Sequence, residues 1–119
     1  MLQNDTLQFL RELKENNNKP WFEANKTRYQ QAQADILQLV ERWIQDMSRY
    51  DEDLSLLDPK KCVFRIYRDA RFSADKSPYK SNLGAYLNKG GKATNTAGYY
   101  MHIEPGNCFF GAGNYMPML

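Results

Sequence analysis

Five cations, Arg65, Arg68, Arg71, Lys76 and Lys80, fall within residues 64–86, FRIYRDARFSADKSPYKSNLGAY, against two acids, Asp69 and Asp75. A guanidinium presents a planar fork that holds carboxylate or phosphate oxygens through two hydrogen bonds, and an ammonium adds a mobile point charge. Together these side chains could cradle a small anion, with Tyr67 and Tyr79 adding hydroxyl donors. The loop SADKSPYKSN lacks the glycine spacing of a phosphate-binding loop, so a phosphate here would be held by side chains. Two plainer explanations fit the same pattern. Arg68 could pair with Asp69, Asp75 or an acid of the N-terminal half, and Arg65 and Arg71 could sit at a strand edge in water. The rings interleaved with the cations, Phe64, Tyr67, Phe72, Tyr79 and Tyr86, could also stack single-stranded bases, although such rings more often pack a core.

A second group lies further on. Tyr100, His102 and Glu104 alternate, which on a strand places an imidazole, a carboxylate and a phenol on one face. It is the one plausible acid–base group in the sequence, and a half-exposed sheet face accounts equally for the spacing. One histidine, two isolated cysteines and dispersed aspartates do not form the ligand set of zinc or of a calcium loop, so neither a metal nor another cofactor is expected. Cys62 or Cys108 would need His102 nearby in space to act as a nucleophile, and a buried inert thiol is the commoner fate. Nothing here names a reaction, and whether the protein is an enzyme stays open.

With 119 residues, 42% of them apolar and 13% aromatic, the chain has the size and the material for one domain with a core. Its net charge of +2 conceals an asymmetry: residues 1–58 carry 7 cations and 11 acids, residues 59–119 carry 9 and 3. The positive face therefore belongs to the second half. The cysteines have no CxxC spacing and no dense framework, which fits a reducing compartment. The N-terminus MLQNDTLQFL lacks the basic start and apolar run of a signal peptide, and no window approaches the roughly 18 apolar residues of a membrane span. The cytoplasm is the expected location.

The elements that must position these residues follow from spacing. Leu7, Leu10 and Leu13, with Phe9 alongside, predict a first helix capped by Asp5 or Thr6 and ended at Asn16-Asn17-Asn18, where asparagine tolerates a left-handed cap. Pro20 suits the first turn of a second helix, with Trp21 and Phe22 entering the core. Tyr29, Ile36, Val40, Trp43, Ile44 and Met47 form one stripe of a long helix over 26–49. Pro59 bars its continuation through YDEDLSLLDPKK. Residues 63–68 then alternate as a strand whose period puts Arg68 on the apolar side, so the strand ends or bulges there or the guanidinium is buried against a partner. Short strands are expected over 83–87 and 98–104. Glu104-Pro105-Gly106-Asn107 has the residues of a type II turn, returning 108–115 as an antiparallel partner.

The run over 64–86, followed by GYYMHIEPGNCFFGAGNYMP and preceded by NNNKPWFEANKTRY, resembles an uncharacterised, largely bacterial family catalogued as domain of unknown function 2461. The resemblance covers nearly the whole chain, with three long motifs in the family's order. That family has no established activity, so the resemblance implies identity and not chemistry. Proteins that look like this one usually continue for about as much sequence again, with further helices. The resemblance therefore implies an absent helical half, with a sheet face or edge left open to self-association.

The expected architecture is α+β: residues 1–58 as a helical layer packed on an antiparallel sheet of about four strands from 61–115, within a single domain 1–119. The leading functional expectation is binding of a small anionic or phosphorylated ligand at the Arg-rich face. Single-stranded nucleic-acid binding and a purely structural or interaction role are the alternatives, and no membrane partner is expected.

Overall fold

The computed structural model describes residues 3–68, 71, 74–88 and 97–114. The leucine repeat becomes α1 (Asn4–Glu15), which buries Phe9, Leu10 and Leu13. Its cap differs from expectation. Thr6 Oγ1 donates to Asp35 Oδ2 at 2.6 Å, and the Gln3 backbone N–H donates to the same oxygen at 2.9 Å. A buried carboxylate on another helix thus takes the place of a local cap and satisfies a first-turn N–H.

At the asparagine corner, Asn16 stays at φ −130° and does not enter the left-handed region. Instead its side-chain amide donates to the Glu12 carbonyl at 2.9 Å, a second donor beside the Asn16 backbone N–H, which the same carbonyl accepts at 2.9 Å. Asn18 Oδ1 accepts from Trp21 N at 2.9 Å and caps α2 (Lys19–Ala24), with Pro20 in the first turn. The long stripe becomes α3 (Lys26–Met47), burying Ala32, Ile36, Val40 and Ile44, with Tyr29, Trp43 and Met47 packed against the same cluster. The connection expected after it holds two short helical turns. A 3-10 turn, Glu52–Leu56, plants Leu54 in the core, and α4 (Pro59–Cys62) buries Cys62, capped where Asp58 Oδ1 accepts from Lys60 N at 3.1 Å. Pro59 opens α4 at its first position, while α3 has already ended at Met47.

The sheet comprises β1 (Leu83–Leu87), β2 (Ala97–Ile103) and β3 (Phe109–Asn114), antiparallel in that order. The expected type II turn joins the last two: Gly106 has φ 80° and Asn107 N donates to the Glu104 carbonyl at 2.9 Å. Leu83, Ala85, Leu87, Met101 and Ile103 form one face and share a single apolar cluster with α1, α2 and α3. The fold class is α+β, as expected, with three strands among the described residues and not four. Residues 63–68 make only two isolated bridges, Val63 with Ala85 and Tyr67 with Tyr79. Phe64 N donates to Gly84 O at 2.9 Å, the chain bends at Ile66, and Arg68 N then donates to Pro78 O at 3.0 Å. Pro78 has no N–H to return, so no regular ladder can grow through that position. Among the described residues no helix is long and apolar enough to cross a membrane.

Candidate functional site

The sheet face turned away from the helices is unusual in its side chains. Registration puts Gly84 opposite His102, Tyr86 opposite Tyr100, Gly111 opposite Tyr100 and Phe109 opposite His102, so small residues and ring side chains alternate there. Glycine makes the room. A Cβ at Gly84 would stand 3.2 Å from the Tyr100 hydroxyl and 3.3 Å from Phe64 Cδ2, closer than such contacts ordinarily sit. The missing methyl lets the phenol lean across β1 toward Phe64, and a pocket opens beside it.

That pocket has a volume of about 390 Å³ and is lined by Phe64, Arg65, Arg68, Lys80, Asn82, Gly84 and Tyr100. Its three cations come from the two arms of the bent segment and its return. The Arg65 guanidinium lies 5.5 Å from the Tyr67 ring centre and the Lys80 ammonium 5.6 Å from that of Phe64, cation–π placements that hold long side chains near the mouth. Arg68 is 26% exposed; its Nη1 donates to the carbonyls of Ser77 at 3.0 Å and Asp75 at 3.3 Å, and lies 3.4 Å from Asp75 Oδ2. The residue thus braces the loop as well as lining the pocket, which combines two of the sequence readings. Asp75 is 67% exposed and is itself bonded by Ser77 N and Oγ, so its pairing with Arg68 is screened and weak. None of the described lining residues is acidic.

Tyr100 leads from the pocket into a hydrogen-bonded chain. Its hydroxyl is 3.0 Å from His102 Nδ1, which also lies 3.2 Å from Asn82 Nδ2, and His102 Nε2 is 2.9 Å from Glu104 Oε1. The Phe109 ring stacks on the imidazole at 4.8 Å and 16°, fixing its plane. The bond from His102 holds the Glu104 carboxyl below the usual glutamate range, outweighing partial burial. An ionised carboxylate only accepts, so Nε2 carries the hydrogen in the neutral ring and Nδ1 presents its lone pair to Tyr100 and Asn82. A carboxylate that orients an imidazole, which faces a hydroxyl on a pocket wall, is an arrangement able to move a proton.

Residues 5–118 match the family model described as a conserved hypothetical protein, DUF2461. The chain belongs to the DUF2461 family. The resemblance read from the three motifs therefore holds, and the match takes in every residue of the pocket and of the hydrogen-bonded chain. No curated protein and no solved structure matches the chain.

Within this DUF2461 fold the sequence-predicted residues separate. Arg65, Arg68 and Lys80 meet at the pocket, and Tyr100, His102 and Glu104 meet beside it. Arg71 and Lys76 are not among the described pocket residues; Lys76 Nζ points back to the Arg71 carbonyl at 3.4 Å. Tyr67 is half-exposed under Arg65, outside the described pocket lining. The hydroxyl expected from Tyr79 is withdrawn: the residue is 5% exposed, its ring stacks on Phe22 at 4.1 Å, and burial pushes its phenol pKa up. Tyr86 is likewise buried, and Phe72 and Asp69 lie outside the described residues. Cys62 is buried and Cys108 Sγ bonds the Glu104 carbonyl at 3.3 Å, while both His102 nitrogens face other partners. Among the described residues no cluster of His, Cys, Asp and Glu could hold a metal ion.

Four contributors escaped the sequence reading. Asn82 and Gly84 carry the signal of period two on the same face as Tyr86, and Phe109 follows from pairing with His102. Asn17 carries none. Its amide donates to the Tyr79 carbonyl at 2.8 Å and accepts from Tyr79 N at 3.0 Å, acting as a one-residue strand partner that fixes the backbone leading into Lys80.

The lowered Glu104 pKa has a consequence for stability. A carboxylate stabilised in the fold contributes above the unfolded value, ordinarily 4.5 for glutamate, and the contribution disappears as pH falls through the lower folded value. Melting temperature measured from neutral to acid pH is expected to fall below about pH 4.5, and Glu104→Gln is expected to flatten part of that fall. Superimposable profiles would remove the Glu104 assignment.

Proposed function

We propose that the pocket between β1, β2 and the bent 63–68 segment binds a small anion, a phosphate or a phosphorylated small molecule. One observation carries this: Arg65, Arg68 and Lys80 converge on a pocket of about 390 Å³ whose described lining holds no acid. The volume falls within the range of small-molecule sites, whose floor is roughly 300 Å³. Phe64 and Gly84 supply an apolar floor, while Asn82 and Tyr100 add neutral polar groups, a mixture suited to orienting a ligand as well as attracting it. Each charge-assisted contact to a phosphate oxygen is worth about 1.5–3 kcal/mol, roughly tenfold or more in affinity. Hydrogen bonding from Tyr100 through His102 to Glu104 gives such a site the means to handle a proton.

Calorimetric titration with inorganic phosphate, and separately with a short single-stranded oligonucleotide, tests the reading. Saturable heat with phosphate supports it. Absence of heat with phosphate at millimolar concentration, together with salt-sensitive binding of the oligonucleotide, would replace it with a nucleic-acid interface built on Phe64 and Tyr67.

A further inference from the structure

We infer that a second pocket, between the start of α1 and the middle of α3, binds the ammonium group of a primary alkylamine. The site is separate from the anion pocket and starts from Asp35. This carboxylate is only 7% exposed, on a helix whose other buried residues are apolar. Its Oδ2 accepts from Thr6 Oγ1 at 2.6 Å and from the Gln3 backbone N–H at 2.9 Å. Oδ1 has no hydrogen-bond partner among the described residues, and among those residues no fully buried side-chain oxygen lacks one, so Oδ1 opens onto the pocket that Asp35 lines. The fold uses one half of a costly buried charge and leaves the other half facing a cavity.

That cavity has a volume of about 520 Å³, and Ala32 and Ala34 line it with single methyl groups that leave the space. Gln31 and Gln38 stand on the same face of α3 as Asp35, one turn to either side, and Asp5 of α1 adds a second carboxylate. The charged and capping donors here are already engaged. Asp35 holds Gln3 N and Thr6 Oγ1, the Gln3 carbonyl accepts from Thr6 N at 3.1 Å, and Glu12 accepts from Arg28 Nη1 at 3.1 Å and Nη2 at 2.8 Å. An anion would have to displace these internal carboxylates, whereas a cation meets an acceptor that the fold leaves open. A metal ion fits poorly, since no group of three ligating side chains gathers among the described residues. A primary ammonium brings three N–H donors of its own: one suits Asp35 Oδ1, the others the amide oxygens of Gln31 and Gln38 or the Asp5 carboxylate.

The test is an amide NMR titration of the native protein with butylammonium chloride and, separately, tetramethylammonium chloride, which are equal in charge and in carbon count but differ in N–H donors. Butylammonium is expected to give saturable shifts at residues 3–6 and 28–38, and tetramethylammonium to bind about tenfold or more weakly, the worth of a hydrogen bond to a charged group. Asp35→Asn keeps one oxygen for Thr6 and Gln3 but turns a donor toward the pocket, and should weaken butylammonium by a similar factor. Because that change also touches the α1 cap, Gln31→Lys is the second variant: it alters an exposed residue, leaves the cap intact and sets a like charge in the pocket. It should abolish the shifts at a native melting temperature. Equal affinity for the two cations would reduce the site to diffuse negative potential and overturn the inference. Absence of saturable shifts through the millimolar range, or native affinity retained in Gln31→Lys, would overturn it as well.

Discussion

Replacing Phe22 by alanine is expected to cost about 3–5 kcal/mol, a large share of the roughly 5–15 kcal/mol that holds a domain of this size folded. Phe22 is 1% exposed and stands where the helical layer meets the site segment. Its ring stacks on Tyr79 at 4.1 Å and 14°, lies 5.2 Å from Tyr29, and also meets Phe9 and Tyr67. Truncation removes the apolar contact and leaves a cavity under Tyr79, the residue before Lys80. Denaturant unfolding is the measurement: the midpoint should drop sharply, and Phe22→Leu, which fills most of the volume, should recover more than half of the loss. A loss under about 1 kcal/mol would mean that the ring cluster does not join the helices to the site segment.

The second large effect is electrostatic. Arg65→Glu is expected to weaken phosphate binding by about 100-fold or more, because the substitution removes a charge-assisted contact and places a like charge at the anion. Arg65 is exposed, with its guanidinium over the Tyr67 ring, so thermal stability should stay close to that of the native protein. The contrast with Arg68→Ala is informative. Arg68 also bonds the Ser77 and Asp75 carbonyls, and its loss should lower both affinity and the order of the 75–78 loop. Unchanged phosphate affinity in Arg65→Glu, read by calorimetry, would take Arg65 out of the site.

Features encoded by neighbours in sequence were legible. Pro105-Gly106 specified the type II turn, since only a residue free to take φ 80° fits its third position. The stripe from Tyr29 to Met47 specified α3, and the alternation of Tyr100, His102 and Glu104 put three interacting groups on one face. Strand period singled out Arg68, which is 26% exposed and bonded to the Ser77 and Asp75 carbonyls, but residues 63–68 form two isolated bridges and no strand, so its partners come from the return of the chain and not from the expected period.

Features that depend on distant partners were not legible. The expected fourth strand failed because Pro78, ten residues beyond Arg68, has no N–H to extend the ladder. Asp35 reads as a solvated helix charge until α1 brings Thr6 and Gln3 to it across 29 and 32 residues. Asn17 and Tyr79 are 62 residues apart, and no local pattern marks an amide that serves as a strand partner. The burial of Tyr79 was hidden for the same reason, since its neighbours in sequence are polar while Phe22 comes from α2.

Anions are expected to enter the pocket and not merely to collect along a basic surface. Backbone amide NMR of the native protein, titrated with inorganic phosphate, reports the position of the ligand residue by residue. The predicted result is a saturable set of shift changes centred on residues 64–68, 80–84 and Tyr100, with residues 26–47 of α3 unmoved. Shifts spread evenly over surface lysines, or centred away from Arg65, Lys80 and Tyr100, would contradict anion binding in the pocket.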